Sequence, residues 1–152
     1  MKKDIVHLVY AVLVLVLSCA AEELCPGLLG VGVPVLLSAA AYCALRRSPV
    51  VGVLFALAAG AAEDSLSSLP LASSVSFFVI ACAVLRGFKL PLAFAALAYP
   101  LYQLWIWAWL GPAMQGRIIL RILAAFPVGA VTLVAVCGAL HWLDGKAAVN
   151  EK

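Results

Sequence analysis

Charged residues divide this chain into six long stretches that carry no charge. The stretches are 15 to 27 residues long and together cover 124 of the 152 residues. A helix that crosses a bilayer needs about 20 mostly apolar residues, because the hydrocarbon core is about 30 Å thick and a helix rises about 1.5 Å per residue. The pattern therefore predicts an all-α integral membrane protein, a six-helix transmembrane bundle. The predicted spans are about 5–21, 24–45, 48–65, 69–85, 90–110 and 118–142.

Composition favours the same prediction. Hydrophobic residues make up 66% of the chain, charged residues make up 11%, and the mean hydropathy is +1.16. Ordinary globular domains carry about 25% charged residues. The length fits one polytopic membrane domain, 1–152, whose loops are too short to fold as separate domains. The net charge of +3 is small, and we interpret it as an asymmetry between loops rather than as a surface that binds nucleic acid.

The basic residues predict an orientation. If the N-terminus is cytoplasmic, eight Lys and Arg residues lie on the cytoplasmic side and only Arg117 and Arg121 lie outside. Basic residues in short loops favour the cytoplasmic side, so we predict that both termini are cytoplasmic. The eight cytoplasmic residues are Lys2, Lys3, Arg46, Arg47, Arg86, Lys89, Lys146 and Lys152. The acidic residues expected on the outer side are Glu22, Glu23, Glu63 and Asp64.

The first stretch allows a second interpretation. Lys2-Lys3, an apolar run and then Ser18-Cys19-Ala20-Ala21 resemble a secretory signal peptide with a small-residue cleavage site. The bulky Leu17 does not suit the lipoprotein version of that site, and the uncharged run is longer than the roughly 7–15 residues of a signal peptide core. We therefore favour a retained first span, while cleavage would leave five spans.

Prolines mark expected kinks and helix starts. Pro34 lies within predicted span two and is expected to kink it, because proline lacks an N–H and leaves a backbone carbonyl unpaired. Pro91 is expected to open span five, and Pro100 to kink it. An external loop is predicted at 111–117, where a Gly-Pro pair interrupts the longest uncharged stretch.

Four residues spaced four apart share one face of predicted span three: Gly52, Ala56, Gly60 and Asp64. Each step of four turns a helix by about 400°, so the stripe drifts by only about 40° per step. Small residues at this spacing let two helix backbones approach closely in a membrane. We predict a helix-packing or partner-binding face that ends at Asp64. Ordinary packing inside the bundle, with a solvated Asp64, is the simpler alternative for the same stripe.

Two further groups of side chains are candidates for a site at the outer side. Arg117 and Arg121 are one helical turn apart and form a possible external charge site, which could pair with outer carboxylates, bind an anionic ligand or meet lipid headgroups. Span five carries aromatic and amide side chains that could line a small-molecule site, although an aromatic belt at the membrane surface is the favoured interpretation. These are Tyr99, Tyr102, Gln103, Trp105, Trp107 and Trp109.

The sequence contains no pattern typical of a catalytic or metal site. His7 and His141 have no second ligand at metal-binding spacing, and no Ser-His-Asp set, phosphate-binding loop or H-E-x-x-H motif is present. We therefore expect no enzyme activity, no metal and no cofactor. The five cysteines lie in apolar surroundings without a C-x-x-C pair, which favours free thiols that pack as small hydrophobic side chains.

The segment from Val51 to Ala72 resembles the rod shape-determining protein MreD family. The family's middle region has a Gly, a run of apolar residues, a small-Gly pair, an Asp four residues after that Gly, and a Ser-containing turn with Pro-Leu-Gly. The matching residues here are Gly60, Asp64, Ser67, Ser68, Pro70 and Leu71. Ala72 departs from the pattern, because it stands where Gly is usual.

The resemblance implies a non-enzymatic role in the bacterial inner membrane. MreD-like proteins bind MreC and, with MreB, RodA and a penicillin-binding transpeptidase, help to organise elongation of the lateral cell wall. Their fold resembles the substrate-binding component of energy-coupling-factor transporters. A vitamin-capturing subunit of such a transporter is therefore the alternative function, and it would need an outer pocket lined by polar and aromatic side chains.

Overall fold

The computed structural model describes residues 2–29, 32–67, 70, 72–88, 92–110 and 118–149. These residues form six α-helices and one 3-10 helix, and no strand occurs among them. The prediction of an all-α protein is confirmed over these ranges. The helices are α1 (Lys2–Leu29), α2 (Val35–Arg46), α3 (Pro49–Leu66), α4 (Ser73–Gly87), the 3-10 helix (Leu92–Leu97), α5 (Ala98–Leu110) and α6 (Ile118–Val149).

Helix α2 forms the centre of the bundle. Every residue from Val35 to Ala44 is buried, and α2 contacts α1, α3, α4 and α6. A helix that is apolar on all sides belongs in the core, and the small side chains of Ala39, Ala40 and Ala41 let neighbouring helices pack close to its backbone. At about 1.5 Å per residue its 12 residues extend about 18 Å, which is much shorter than predicted span two.

The first two helices divide at a different place from the one that the charges predict. Predicted span one ends at residue 21, but α1 continues through Glu22 and Glu23 to Leu29. Glu22 can lie within the helix because its Oε2 accepts a hydrogen bond from the backbone N–H of Leu36 at 2.7 Å. Pro34 does not kink a helix as expected; it immediately precedes α2, a place where its missing N–H breaks no helical hydrogen bond.

Helices α3 and α4 form an antiparallel hairpin. The start of α3 has Pro49 in its first turn, and the Ser48 side chain accepts a hydrogen bond from the N–H of Val51. These are ordinary signals for a helix start. The N-cap residue of α4 is Ala72, whose φ of 70° lies in the left-handed region. Only glycine adopts that region without a steric cost.

Among the residues that the structure describes, two helices are long and apolar enough to cross a membrane, namely α3 and the part of α6 from Ile122 to Gly145. Only 33% and 28% of their most apolar windows are buried in the structure, whereas the core helix of a soluble protein is mostly buried. Large apolar side chains such as Val50, Val131 and Val134 are 68%, 69% and 74% exposed. Exposed apolar surface of this extent marks contact with a membrane or with another protein.

Candidate functional site

Asp64 joins α3 to the start of α4. Its side chain is 5% exposed, and Oδ1 accepts hydrogen bonds from the Ser73 hydroxyl at 2.9 Å and from the backbone N–H of Ser74 at 2.8 Å. Ala72 provides no side-chain cap for α4. Asp64 therefore caps α4 from a different helix, where a negative charge meets the positive end of the helix dipole. Its second oxygen, Oδ2, is buried and receives no hydrogen bond from the described residues.

Helix α5 is bound to the same junction through Tyr102 and Trp105. The Tyr102 hydroxyl lies 2.6 Å from Ser74 Oγ and makes a longer contact, 3.4 Å, with Glu63 Oε1. The Trp105 indole N–H donates to the carbonyl of Ser73 at 2.9 Å. Trp105 is thus partly buried against α4 instead of facing lipid as an aromatic belt would, whereas Trp107 and Trp109 are exposed.

The glycines of the predicted stripe pack against backbone of the same chain. A Cβ added at Gly60 would lie 2.5 Å from Val75 Cα in α4, and one added at Gly52 would lie 3.0 Å from Ala44 Cα in α2. Ala56, between them, has no exposed surface. Both glycines therefore allow close approach of helices within this chain. A role of this face in binding another protein stays a prediction.

A cavity of about 320 Å³ lies beside this junction. Its polar lining comes from α1, α3 and α5, and its apolar lining includes Pro34, Leu37 and Phe78. The polar side chains at its wall are Glu22, Glu23, Glu63, Ser67, Tyr99, Tyr102 and Gln103. Tyr99 also donates a hydrogen bond to the carbonyl of Gly32 at 3.3 Å, which holds α5 against the segment before α2. We name this space the acidic cavity.

The carboxylates of the acidic cavity influence each other. Glu22 lies outside α3 and the Ile122–Gly145 part of α6, the two described helices that are long and apolar enough to cross a membrane. Burial raises the pKa of its carboxyl to about 8, and the negative charge of Glu63 adds to the increase. A buried carboxyl near a second carboxylate favours its protonated form. The cavity can therefore offer a hydrogen-bond donor as well as acceptors to a ligand at neutral pH.

The opposite end of the bundle holds a charge network that the sequence analysis did not identify. Arg47 pairs with Asp144 of α6, and the Tyr42 hydroxyl donates to the same carboxylate at 2.8 Å. The Arg47 guanidinium also lies 5.0 Å from the ring centre of Tyr10. Arg86 donates to the carbonyls of Ala44 and Arg47, both at 2.8 Å, and so caps the C-terminus of α2. In the sequence Asp144 stands close to Lys146, and nothing in that spacing indicates a partner about a hundred residues away.

The possible external charge site lies outside the part of the chain that the structure describes. Arg117 and the side chain of Arg121 lie outside the described residues. All five cysteines are free thiols, and Cys43, Cys82 and Cys137 are buried. Within the described part of the chain, no three His, Cys, Asp or Glu side chains are grouped as a metal site requires.

Comparisons with known proteins were made at the level of family, of sequence and of structure. The chain matches no protein-family model, no curated protein and no solved structure.

Proposed function

We propose that this protein is a non-enzymatic scaffold of the bacterial inner membrane that acts in cell-wall elongation by binding an MreC-like partner. The observation that carries the proposal is the backbone at Ala72, with its φ of 70°. The MreD family usually has Gly at this place, and the left-handed conformation is the one that Gly adopts without cost. The one departure from the family pattern thus falls where the fold itself favours Gly.

The buried roles of the other motif residues also support the resemblance. Gly60 brings α3 against α4, and Asp64 caps α4 with both hydrogen-bond donors buried. A motif with these tasks preserves a helix hairpin and needs no catalytic chemistry. A scaffold depends on a rigid hairpin of this kind, because it acts by presenting a surface of fixed shape to its partner.

The proposal includes six membrane spans with both termini in the cytoplasm. It is supported by the exposed apolar surface of α3 and α6 and by the grouping of Arg46, Arg47 and Arg86 at one end of the bundle. Reporter fusions after residue 47, after residue 89 and at the C-terminus should all report a cytoplasmic position. An external signal at the C-terminus would rule out the six-span topology.

The function is tested by replacing Asp64 in a strain depleted of the native protein. Asp64→Asn keeps the shape and one acceptor oxygen, so we expect rod shape and co-purification with the MreC-like partner to be retained. Asp64→Leu removes both acceptors and should give rounded cells and lose the partner. Leu57→Ala, at a side chain 40% exposed on the other face of α3, is the matched control. Normal shape with both Asp64 variants would refute the role of this residue.

The acidic cavity favours a second function, capture of a vitamin for an energy-coupling-factor transporter. Its position beside the carboxylates expected on the outer side, its volume of about 320 Å³ and its mixed aromatic and polar lining suit a small polar molecule. Purified protein should then bind one water-soluble vitamin tightly, and Gln103→Ala should weaken that binding. Tight binding together with normal cell shape after depletion would replace the scaffold with the transporter function.

A further inference from the structure

A groove of about 790 Å³ opens between α1 and α3 at the end of the bundle opposite the acidic cavity. Its walls are apolar side chains, Leu15 and Val12 from α1 and Leu54 and Phe55 from α3. Ala11 and Ala58 keep it wide, because neither side chain extends far enough to fill it. Along α3 the lining runs from Val51 to Ala58, a rise of about 10 Å. This length accommodates part of an extended hydrocarbon chain.

Two arginines and a serine lie at one end of this groove. Arg47 is already engaged by Asp144 and Tyr10. The side chain of Arg46 is exposed, and it forms neither an ion pair nor a side-chain hydrogen bond with any residue that the structure describes. Ser48 and the first turn of α3 adjoin it, so the positive end of that helix dipole adds to the charge of Arg46. The groove is therefore positively charged at one end and apolar along the rest of its length.

We propose that this groove binds an anionic phospholipid of the cytoplasmic leaflet. The headgroup phosphate pairs with Arg46 and accepts a hydrogen bond from the Ser48 hydroxyl. One acyl chain lies between α1 and α3. Charge complementarity selects the anionic lipid, since basic pockets between membrane helices on the cytoplasmic side suit anionic headgroups. The proposal rests on the proposed topology, which places Arg46 on the cytoplasmic side of the membrane, but it does not depend on the scaffold role.

A lipid at this place has a structural consequence. Helix α1 contacts both α2 and α3, and the groove separates it from α3 at the level of Leu15 and Leu54. An acyl chain there fills the gap between the two helices. Bound lipid should thus stabilise α1 on the bundle, while the ion pair of Arg47 stabilises α6 on it.

The test uses the full chain purified in a neutral detergent. Native mass spectrometry and thermal unfolding are recorded with phosphatidylglycerol, with phosphatidylcholine and with inorganic phosphate alone. We expect the wild type to retain phosphatidylglycerol at least fivefold better than phosphatidylcholine and to unfold at a higher temperature with it. Inorganic phosphate should produce no shift. An equal shift with phosphate would mean an ion site without a lipid, and would overturn the proposal.

Two pairs of variants distinguish binding of the lipid headgroup from binding of the acyl chain in the groove. Arg46→Gln should abolish the preference for phosphatidylglycerol, whereas Arg47→Gln should lower stability without changing that preference, because Arg47 is held by Asp144. Ala58→Trp fills the groove and should reduce retention of both lipids, whereas Leu57→Trp, on an exposed position outside the groove, should not. A folded Arg46→Gln protein with unchanged preference, or unchanged retention by a folded Ala58→Trp protein, would refute the proposal.

Discussion

At the end of the bundle that carries Asp64, the buried carboxylate is held by neighbours close in sequence, whereas Asp144 at the other end is held by residues about a hundred positions away. Asp64 accepts hydrogen bonds from Ser73 and Ser74, nine and ten residues along the chain. Asp144 binds Arg47 and Tyr42, which are 97 and 102 residues distant. The first arrangement fixes a local hairpin, and the second fixes the last helix to the centre of the bundle.

The two arrangements also differ in how much solvent they meet. Asp64 is 5% exposed, while the Arg47 and Asp144 side chains are 23% and 27% exposed. Removing a partner from a buried carboxylate leaves groups that water cannot reach, whereas a partly exposed ion pair is screened and replaced by water. Substitutions at the Asp64 end should therefore cost more free energy of unfolding than substitutions at the Asp144 end.

The largest loss of stability is expected for Gly60→Leu. The first added atom already lies 2.5 Å from the Val75 backbone, so α3 and α4 must separate. Overpacking of a core costs about 1–3 kcal/mol, and more where backbone has to move, so we expect little folded protein. The measurement is the thermal midpoint from tryptophan fluorescence in detergent. Leu57→Ala, on the exposed face, should lower the midpoint only slightly; equal losses would mean that no specific face exists.

Asp64→Leu should be the next most damaging change. It leaves the Ser73 hydroxyl and the Ser74 N–H buried without an acceptor, and each such group costs about 1–3 kcal/mol. Asp64→Asn keeps an acceptor oxygen, so its loss of unfolding free energy should be less than half of that of Asp64→Leu. Denaturant unfolding monitored by circular dichroism gives both values. Identical losses for Asn and Leu would show that the charge, and not the hydrogen bonding, is what α4 requires.

Asp144→Asn should lower the stability by a smaller amount, and this loss should depend on the salt concentration. The ion pair with Arg47 is partly exposed, so we expect a loss of about 1 kcal/mol. Raising the ionic strength should reduce the stability of the wild type more than that of the variant, because salt screens the pair. The double variant with Arg47→Gln should lose little beyond the single variants. Full additivity would mean that the pair contributes nothing.

Ala72→Gly should have the smallest effect, and it should be stabilising. A non-glycine residue in the left-handed conformation reduces the free energy of unfolding by about 1–2 kcal/mol. Glycine reduces it by about 0.5–1 kcal/mol, because glycine has more conformational freedom in the unfolded chain. The expected gain is therefore below about 1 kcal/mol, seen as a modest increase in the thermal midpoint. Ser76→Gly, within α4, should instead destabilise, since its backbone is helical. A lower thermal midpoint for Ala72→Gly would contradict the left-handed conformation of this residue.

The sequence predicted the helical class, and it singled out Gly60 and Asp64 as members of one helix face, because both depend on local patterns. Uncharged stretches indicate helices directly, and the spacing of Gly60 and Asp64 is visible within one helix. It did not predict that α1 continues past Glu22, since the acceptor role of that carboxylate toward Leu36 depends on how two helices pack. For the same reason it could not find the Asp144 network, in which Tyr42 and Arg47 meet a residue from the far end of the chain.

The central position of α2 has a consequence for how the protein is made. From Val35 to Ala44 its surface is covered by other helices, so in the finished fold none of it faces outward. During synthesis it leaves the ribosome before the α3–α4 hairpin that encloses it. Under the proposed membrane topology, stable biogenesis should therefore require that α2 be retained beside the insertion machinery until α4 has emerged, and truncations that end at residue 66 should be degraded.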